Sequence, residues 1–428
     1  MKRVALWLAA VGMVVSSATY TFADEPETAS LKADIEVLKQ RLNQLERQLS
    51  QVPSGSGSTS MGDKAGLPTL TLPSGLQGVT ISGYVDTSYE FNFNRPATPA
   101  GGNKGRVFDI NSNSFTPHVA KLAFEKTASD ASPVGFRTDL MYGDDAELIH
   151  STGLGAAGTD SFDLEQAYVT YHAPIGNGLD LKAGKFVTLL GAEVIESPSN
   201  WNFSRSYLFG FAIPFTHTGA LATYSLGEWG STTWGLVNGW DLVDETNSFK
   251  TILGNLTLTP IQGVTLATNL ITGAELGTNN RDDRTVLDLV ATWQPTDKLT
   301  LMANYDNGHQ SNVVHRTSTG AKGSDSANWS GVALYAKYDL TDTWALAGRW
   351  EMFNDADGAR TGLTAFDGVG VDGVRLSEYT LTSQWKLHEH LLARLEYRHD
   401  ISTEKVFLEN SGFANSQDTV AAEVVYHF

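Results

Sequence analysis

Three small constellations carry residue types suited to catalysis or metal binding. His388 and His390 stand two apart, so both rings could reach one metal, but a structural site wants four ligands and no further donor is near in sequence. A solvated turn is the simpler reading. Asp355, Asp357 and Gly358 resemble part of a calcium loop, yet Phe353 would hold its first ligand position and Thr364 its twelfth, which leaves a turn favoured by Asp-Gly. Ser204 and His217 offer a nucleophile and a base without a nucleophile elbow or an ordered third member. There is no phosphate-binding glycine loop and no cofactor fingerprint. The expectation is a chain that is no enzyme and takes neither cofactor nor metal.

The other charged residues are patterned rather than clustered. Lys121 with Glu125, Arg137 with Asp139, Asp180 with Lys182, Arg349 with Glu351, and Arg394, Glu396, Arg398 and Asp400 recur at alternate positions, each set opposite an apolar one. Such charges orient or conduct rather than react. One stretch, Lys185 to Gly219, breaks the alternation: KFVTLLGAEVIESPSNWNFSRSYLFGFAIPFTHTG. It is aromatic, longer than a tight connection, and carries Glu193, Glu196 and Arg205. Long irregular segments inside a regular array are usually functional.

What must position these residues is a run of strands. From Val79 the period is two: Val79, Ile81, Val85, Tyr89, Phe91 and Phe93 share one face and Thr80, Ser82, Asp86, Ser88, Glu90 and Asn92 the other. Sixteen segments of about ten residues follow, the length of a tilted membrane strand. Short and long connections alternate, as an even, up-and-down barrel with both ends on one side requires. Aromatics on the apolar face collect at two levels: Phe124, Tyr171, Tyr224, Trp293, Tyr338, Trp344, Trp385 and Phe428 at one end, Tyr89, Tyr142, Tyr305 and Tyr397 near the other. A water-filled lumen explains the recurring charged faces, which a small barrel would have to desolvate.

Ahead of this array, residues 1–23 read as a secretory signal, with Lys2 and Arg3 before the apolar Val4 to Val15 and small residues at the cleavage site. The alternative is a short membrane anchor. In residues 24–53, Leu31, Ile35, Leu38, Leu42, Leu45, Leu49 and Val52 form a heptad seam, short enough to need a partner helix. An amphipathic helix lying on the barrel mouth or cell wall is the alternative. Pro53 ends it, and residues 54–75, rich in Ser, Gly and Pro, read as a linker to a barrel over 76–428. Cysteine is absent and 18% of residues are charged. The formal charge is −18 and becomes −20 once the two positive charges of the signal are removed. That balance is a poor fit to nucleic acid and suits cations.

The sequence resembles the OmpL-like β-barrel porin-2 family of bacterial outer-membrane porins. The matching stretches are GKF at Gly184–Phe186, SRSYLF at Ser204–Phe209, PFTHTG at Pro214–Gly219, VNGWD at Val237–Asp241, RWEMFNDADGARTG at Arg349–Gly362 and LEYRHDIS at Leu395–Ser402. The resemblance implies a passive pore in the outer membrane, with no settled solute. A C-terminal strand closing on Phe428 is similar to the signal read by the barrel-assembly machinery.

The fold expected is all-β: a sixteen-stranded antiparallel transmembrane barrel behind a periplasmic coiled-coil helix. It is surrounded by outer-membrane lipid and, by analogy with sixteen-stranded porins, forms a homotrimer. Lys185 to Gly219 is then the third outer loop, folded inward so that Glu193, Glu196 and Arg205 narrow the bore and face wall residues such as Arg394 and Arg398. The alternative is a surface lid or a strand extension. By the face assignment the lumen carries both signs in near balance. Surplus acid in the outer loops (Asp144, Asp145, Glu147, Asp241, Asp244, Glu245, Asp282, Asp283, Asp355, Asp357) predicts a mild, salt-screened cation preference. A different class of role is a structural tether, in which the coil grips the cell wall and the barrel is only an anchor.

Overall fold

The computed structural model describes residues 76–155, 161–277, 280–317, 320–355, 357–363 and 373–428, with backbone only for 314–325. The signal segment, the heptad seam from Leu31 to Val52 and the linker lie outside the described residues.

The first half of the chain supplies β1 (Thr80–Asn92), β2 (Ser114–Lys126), β3 (Val134–Tyr142), β4 (Phe162–Ala173), β5 (Leu179–Val187), β6 (Thr216–Ser225), β7 (Gly230–Val237) and β8 (Thr251–Ile261). The second half supplies β9 (Val264–Ala274), β10 (Asp283–Trp293), β11 (Leu299–Thr317), β12 (Gly320–Thr341), β13 (Trp344–Asp355), β14 (Val374–His388) and β15 (Leu391–Ser402). A small ribbon of β16 (Phe407–Glu409) and β17 (Gly412–Ala414) precedes the last barrel strand, β18 (Ser416–His427).

Each barrel strand pairs antiparallel with its sequence neighbours, and β1 pairs with β18 to close the barrel of sixteen strands. The closing register runs from Tyr84↔His427 to Asn92↔Thr419. It continues one residue further, because Gly83 and Phe428 exchange backbone hydrogen bonds of 3.2 and 3.0 Å. Closure matters because an open edge would leave a row of unpaired N–H and C=O groups in hydrocarbon.

Alternation assigns the two faces. On β15, Leu392, Arg394, Glu396, Arg398 and Asp400 point inward and are buried, whereas Tyr397 and Ile401 point out. Outward aromatics mark both ends: Tyr171, Trp293, Tyr338, Trp344 and Phe428 at the end of the short turns, and Tyr142, Tyr305, Tyr397, Phe93 and Phe115 towards the other. One expectation changes. Not every long connection of the alternating pattern is a loop: 306–328 is mostly strand, because β11 and β12 extend as a hairpin well past their neighbours.

Because the outward face meets lipid, a charge there should cost stability according to depth. Leu381→Arg, near the middle of β14 on the outward face, should cost about 2–4 kcal/mol. Leu387→Arg, at the turn end of the same face, should cost about 0–1 kcal/mol. Equilibrium refolding into lipid vesicles measures both, and equal costs would contradict this placement of the membrane.

Candidate functional site

The irregular segment between β5 and β6, residues 188–215, lies against the inner wall of the barrel. Its backbone contains no strand; it has one turn of 3-10 helix at Ser197–Ser199 and a π-helical turn at Leu208–Ala212. So many unpaired peptide groups inside a barrel need partners, and charged wall side chains supply them. Glu396 accepts the N–H groups of Phe203 at 2.7 Å and Ser204 at 3.0 Å. Glu351 accepts those of Tyr207 at 2.6 Å and Leu208 at 3.2 Å. Asp288 accepts that of Gly191 at 3.0 Å. The carbonyls are met by guanidiniums: Arg394 donates to Ser197 and Asn200, Arg398 to Arg205 at 2.6 Å, and Arg349 to Ser204 at 2.6 Å.

The three charged residues singled out on this segment have different partners from those expected. Glu193 is buried and pairs with Arg349 at 2.6 Å while also accepting the Ser206 N–H at 2.6 Å. Glu196 keeps 21% of its side-chain surface exposed and pairs with Lys121 at 2.7 Å. Arg205 has its direct contacts within the loops rather than on the wall. Its guanidinium donates to Phe203 and Ile195 of its own loop and stacks over Phe108 at 4.6 Å, so it braces the fold of the segment. Arg394 and Arg398 meet loop carbonyls rather than loop carboxylates, because Glu423 and Asp400 already neutralise them at 2.8 Å each.

The expected wall residues all face inward but fall into two levels. Lys121, Asp139, Arg349, Glu351, Arg394, Glu396, Arg398 and Asp400 are buried behind the loop. Glu125, Arg137, Asp180 and Lys182 lie nearer the turn end and are partly open. Arg137 bridges Glu125 and Asp139, Asp180 contacts His172, and the Lys182 ammonium sits 4.4 Å over Tyr168.

Around Lys121 the carboxylates of Asp139, Glu165 and Glu196 come within 4.8 Å of one another, a set with the donor chemistry of a cation site. The Lys121 ammonium stands among them, 3.0 Å from Asp139, 2.7 Å from Glu196 and in contact with Glu165, where a metal would sit.

Several contributors escape a reading by alternation alone. Glu165 and Gln166 are consecutive and both inward, because the β3–β4 register shifts between Asp139 and Leu140 and bulges β4 there. Arg106 comes from the first long loop and pairs with Asp109 and Asp400. Tyr207 donates its hydroxyl to Asp400. Burial and the adjacent Asp400 push the Tyr207 phenol well above its ordinary range, so it stays a donor. Glu423, also missed, faces Arg394 across the β15–β18 pair; strand alternation puts it on the inward face, but the pairing needs the register.

The tempting catalytic groups are engaged structurally. His217 bonds the Gly239 carbonyl at 2.9 Å and Thr188, and the Ser204 hydroxyl accepts from Arg349. Asp355 caps the turn at 359–361 by accepting backbone N–H groups, and Asp357 accepts that of Asn328.

The model of the family described as "Putative beta-barrel porin-2, OmpL-like" matches residues 78–428. The chain belongs to this family. As a porin-2 protein it is a porin-type channel barrel of the bacterial outer membrane. Among solved structures it is similar to the outer membrane channel DcaP of Acinetobacter baumannii, at 12% identity and TM-score 0.54, covering 82% of this chain and 97% of that one. An anion-selective porin from Comamonas acidovorans gives 11% identity and TM-score 0.54 over 82% and 99% of the two chains. A trimer form of OmpT from Vibrio cholerae gives 7%, 0.50, 82% and 99%. At these identities the likeness is one of fold. No curated protein matches the sequence.

The hold of the wall on the segment can be loosened at one point. Glu396→Ala strips two loop N–H groups and the Thr382 hydroxyl of their acceptor, at about 1–3 kcal/mol for each group left unpaired. The variant should show noisier and larger single-channel currents, with faster proteolysis between 188 and 215. Wild-type currents and cleavage would mean that Glu396 does not hold the loop.

Proposed function

We propose that this porin passes small hydrophilic solutes or ions by diffusion, with a mild cation preference, through a bore narrowed by its third outer loop, residues 188–215. The supporting observation is the ladder of bonds from the backbone of that segment to Glu351, Glu396, Arg349, Arg394 and Arg398 on the opposite wall. Wall groups at this level have almost no accessible surface, so the segment leaves little open bore beside them. No bond is made or broken in such a protein. A hydrated path lowers the cost of carrying a polar solute across hydrocarbon, and the field at the narrowest point sorts the ions.

Cation preference rests on the balance of charge inside. Among the described residues, buried Asp and Glu side chains outnumber buried Lys and Arg, which supports the preference. The outer-loop acids contribute less than their number suggests. Asp145 is buried beside His118, and Asp355 is buried in its own turn. Salt should therefore weaken the preference less than a fully exposed set of charges would imply.

The same reading includes a homotrimer, since an OmpT of this fold is described in a trimer form. Native mass spectrometry of the full chain tests it, and a monomer at all detergent concentrations would remove it. The coil over 24–53 is proposed as a periplasmic attachment to the cell wall or to its copies.

Reversal potentials across a planar bilayer under a salt gradient test the selectivity. Glu196→Gln should reduce cation preference more than Glu193→Gln, because Glu196 is partly exposed whereas Glu193 is buried in its pair with Arg349. Wild-type anion preference would overturn the reading. Unchanged potentials in both variants would move the selective element away from the third loop.

A further inference from the structure

Above the third loop, on the side of the long connections, the inner wall holds a cavity of about 360 Å³ lined by Leu276, Arg284, Gln310, Asn312, Val313, Trp329, Ala359 and Arg360. Its chemistry is divided. Leu276, Val313, Ala359 and the Trp329 indole form an apolar side, and two guanidiniums with two amides form a polar one.

Both arginines are held in place. Arg284 donates through Nε to Gln310 at 2.7 Å, and Arg360 donates through Nε to the Phe211 carbonyl at 2.7 Å. Each packs on tryptophan: the guanidinium carbons lie 4.8 and 4.6 Å from the centroid of Trp240, and that of Arg360 is also 5.3 Å from Trp329. Trp329 is itself fixed, with Nε1 donating to the Ala212 carbonyl at 3.0 Å. It lies over Gly308, where a Cβ would come within 1.9 Å of the ring, so the glycine makes room for it.

Neither guanidinium forms an ion pair among the described residues. The acids whose fields reach them, Glu275 and Asp241 at Arg284 and Asp241 and Asp355 at Arg360, spend their oxygens on other donors: Glu275 on the Trp240 N–H and the Thr251 hydroxyl, Asp241 on the N–H groups of Phe215 and Thr216, and Asp355 on its turn. Burial, and then the charge of Arg284, push Arg360 down to about 10. Most buried arginines of this barrel have a carboxylate in direct contact; these two, half-buried, border a cavity instead.

We propose that this cavity is a binding site for a small organic anion. Its carboxylate or phosphate meets Arg284 and Arg360, and its flat apolar part lies against Trp329, Leu276 and Val313. Planar guanidiniums held on aromatic faces suit either oxyanion. The apolar side distinguishes an organic anion from a bare inorganic one. Since Arg360 and Trp329 both hold carbonyls of the third loop, an occupant also sits on the supports of that loop. The site deepens the channel reading, but its binding can be measured without conduction.

Calorimetry on the refolded full-length protein in detergent, free of lipopolysaccharide, tests it with benzoate, phenyl phosphate, inorganic phosphate and neutral benzamide as probes. Benzoate or phenyl phosphate should bind at least tenfold more tightly than inorganic phosphate, and benzamide should not bind. Arg284→Gln and Arg360→Gln should each weaken binding about tenfold or more, while Arg284→Lys should retain part of it. Heat-modifiable gel mobility confirms that each variant is folded. Inorganic phosphate binding as tightly as benzoate, or affinity unchanged in both folded glutamine variants, would overturn the proposal. So would no binding of either organic anion, whatever currents the protein carries in a bilayer. Added lipopolysaccharide that displaces the aromatic probes would assign the site to lipid phosphates and overturn it as a solute site.

Discussion

Irregular backbone cannot stand inside a membrane barrel without partners for its peptide groups, and most of the interior here follows from that constraint. Residues 188–215 bring a long run of N–H and C=O groups that no neighbouring strand can pair. The wall answers with side chains of matching sign: carboxylates for the N–H groups of Gly191, Phe203, Ser204, Tyr207 and Leu208, guanidiniums for the carbonyls of Ser197, Asn200, Ser204 and Arg205. The inward charges of β13, β14 and β15 are thus an interlocking surface as well as a source of field. Pairs along the wall, Arg349 with Glu378 and Arg394 with Glu423 of β18, keep the two guanidiniums compensated while they also serve the loop.

The segment has two halves with different physics. Towards the outer mouth, Tyr207, Leu208, Phe209, Ala212 and Ile213 are buried in an apolar cluster with Phe108 and Trp240. Phe209 and Phe215 pack on Phe108 at 6.0 and 5.7 Å. Nearer the middle of the barrel, residues 193–206 pack Ile195, Trp201 and Phe203 but are tied to the wall chiefly by hydrogen bonds and ion pairs. The aromatic half anchors by excluding water. The polar half is held by bonds that water can replace, and each is worth only about 0.5–1.5 kcal/mol net.

The barrel was legible because a period of two, repeated sixteen times, is a strong signal when each strand has one lipid face and one lumen face. β15 shows this most clearly, since Arg394, Glu396, Arg398 and Asp400 all point inward while Leu395, Tyr397 and Ile401 point out. The expectation that 188–215 turns inward rested on its length, aromatics and place as the third long loop. Its partners were not legible. Alternation says that Arg394 and Arg398 point inward, but not that Glu423 and Asp400 already neutralise them, which leaves their remaining donors to loop carbonyls. The bulge that turns both Glu165 and Gln166 inward breaks the rule by which faces are read. Arg106 reaches Asp400 from a loop with no period at all. Tertiary placement, not local pattern, decided each of these.

A sealed apolar plug would be the more stable filling for such a barrel, since well-packed hydrophobic residues often match or exceed buried ion pairs in stability. The charged filling is useful for a different reason. Opening an apolar core leaves a void, whereas separating a buried ion pair leaves two charged groups that water can serve where it has access. In a lumen open to solvent at the turn end, where Glu125 and Asp180 are partly exposed, water is at hand for that exchange. The polar half of the loop can thus admit water along the wall without unfolding the aromatic half. That division reconciles a wall of almost fully buried charge with a barrel whose family is one of channels.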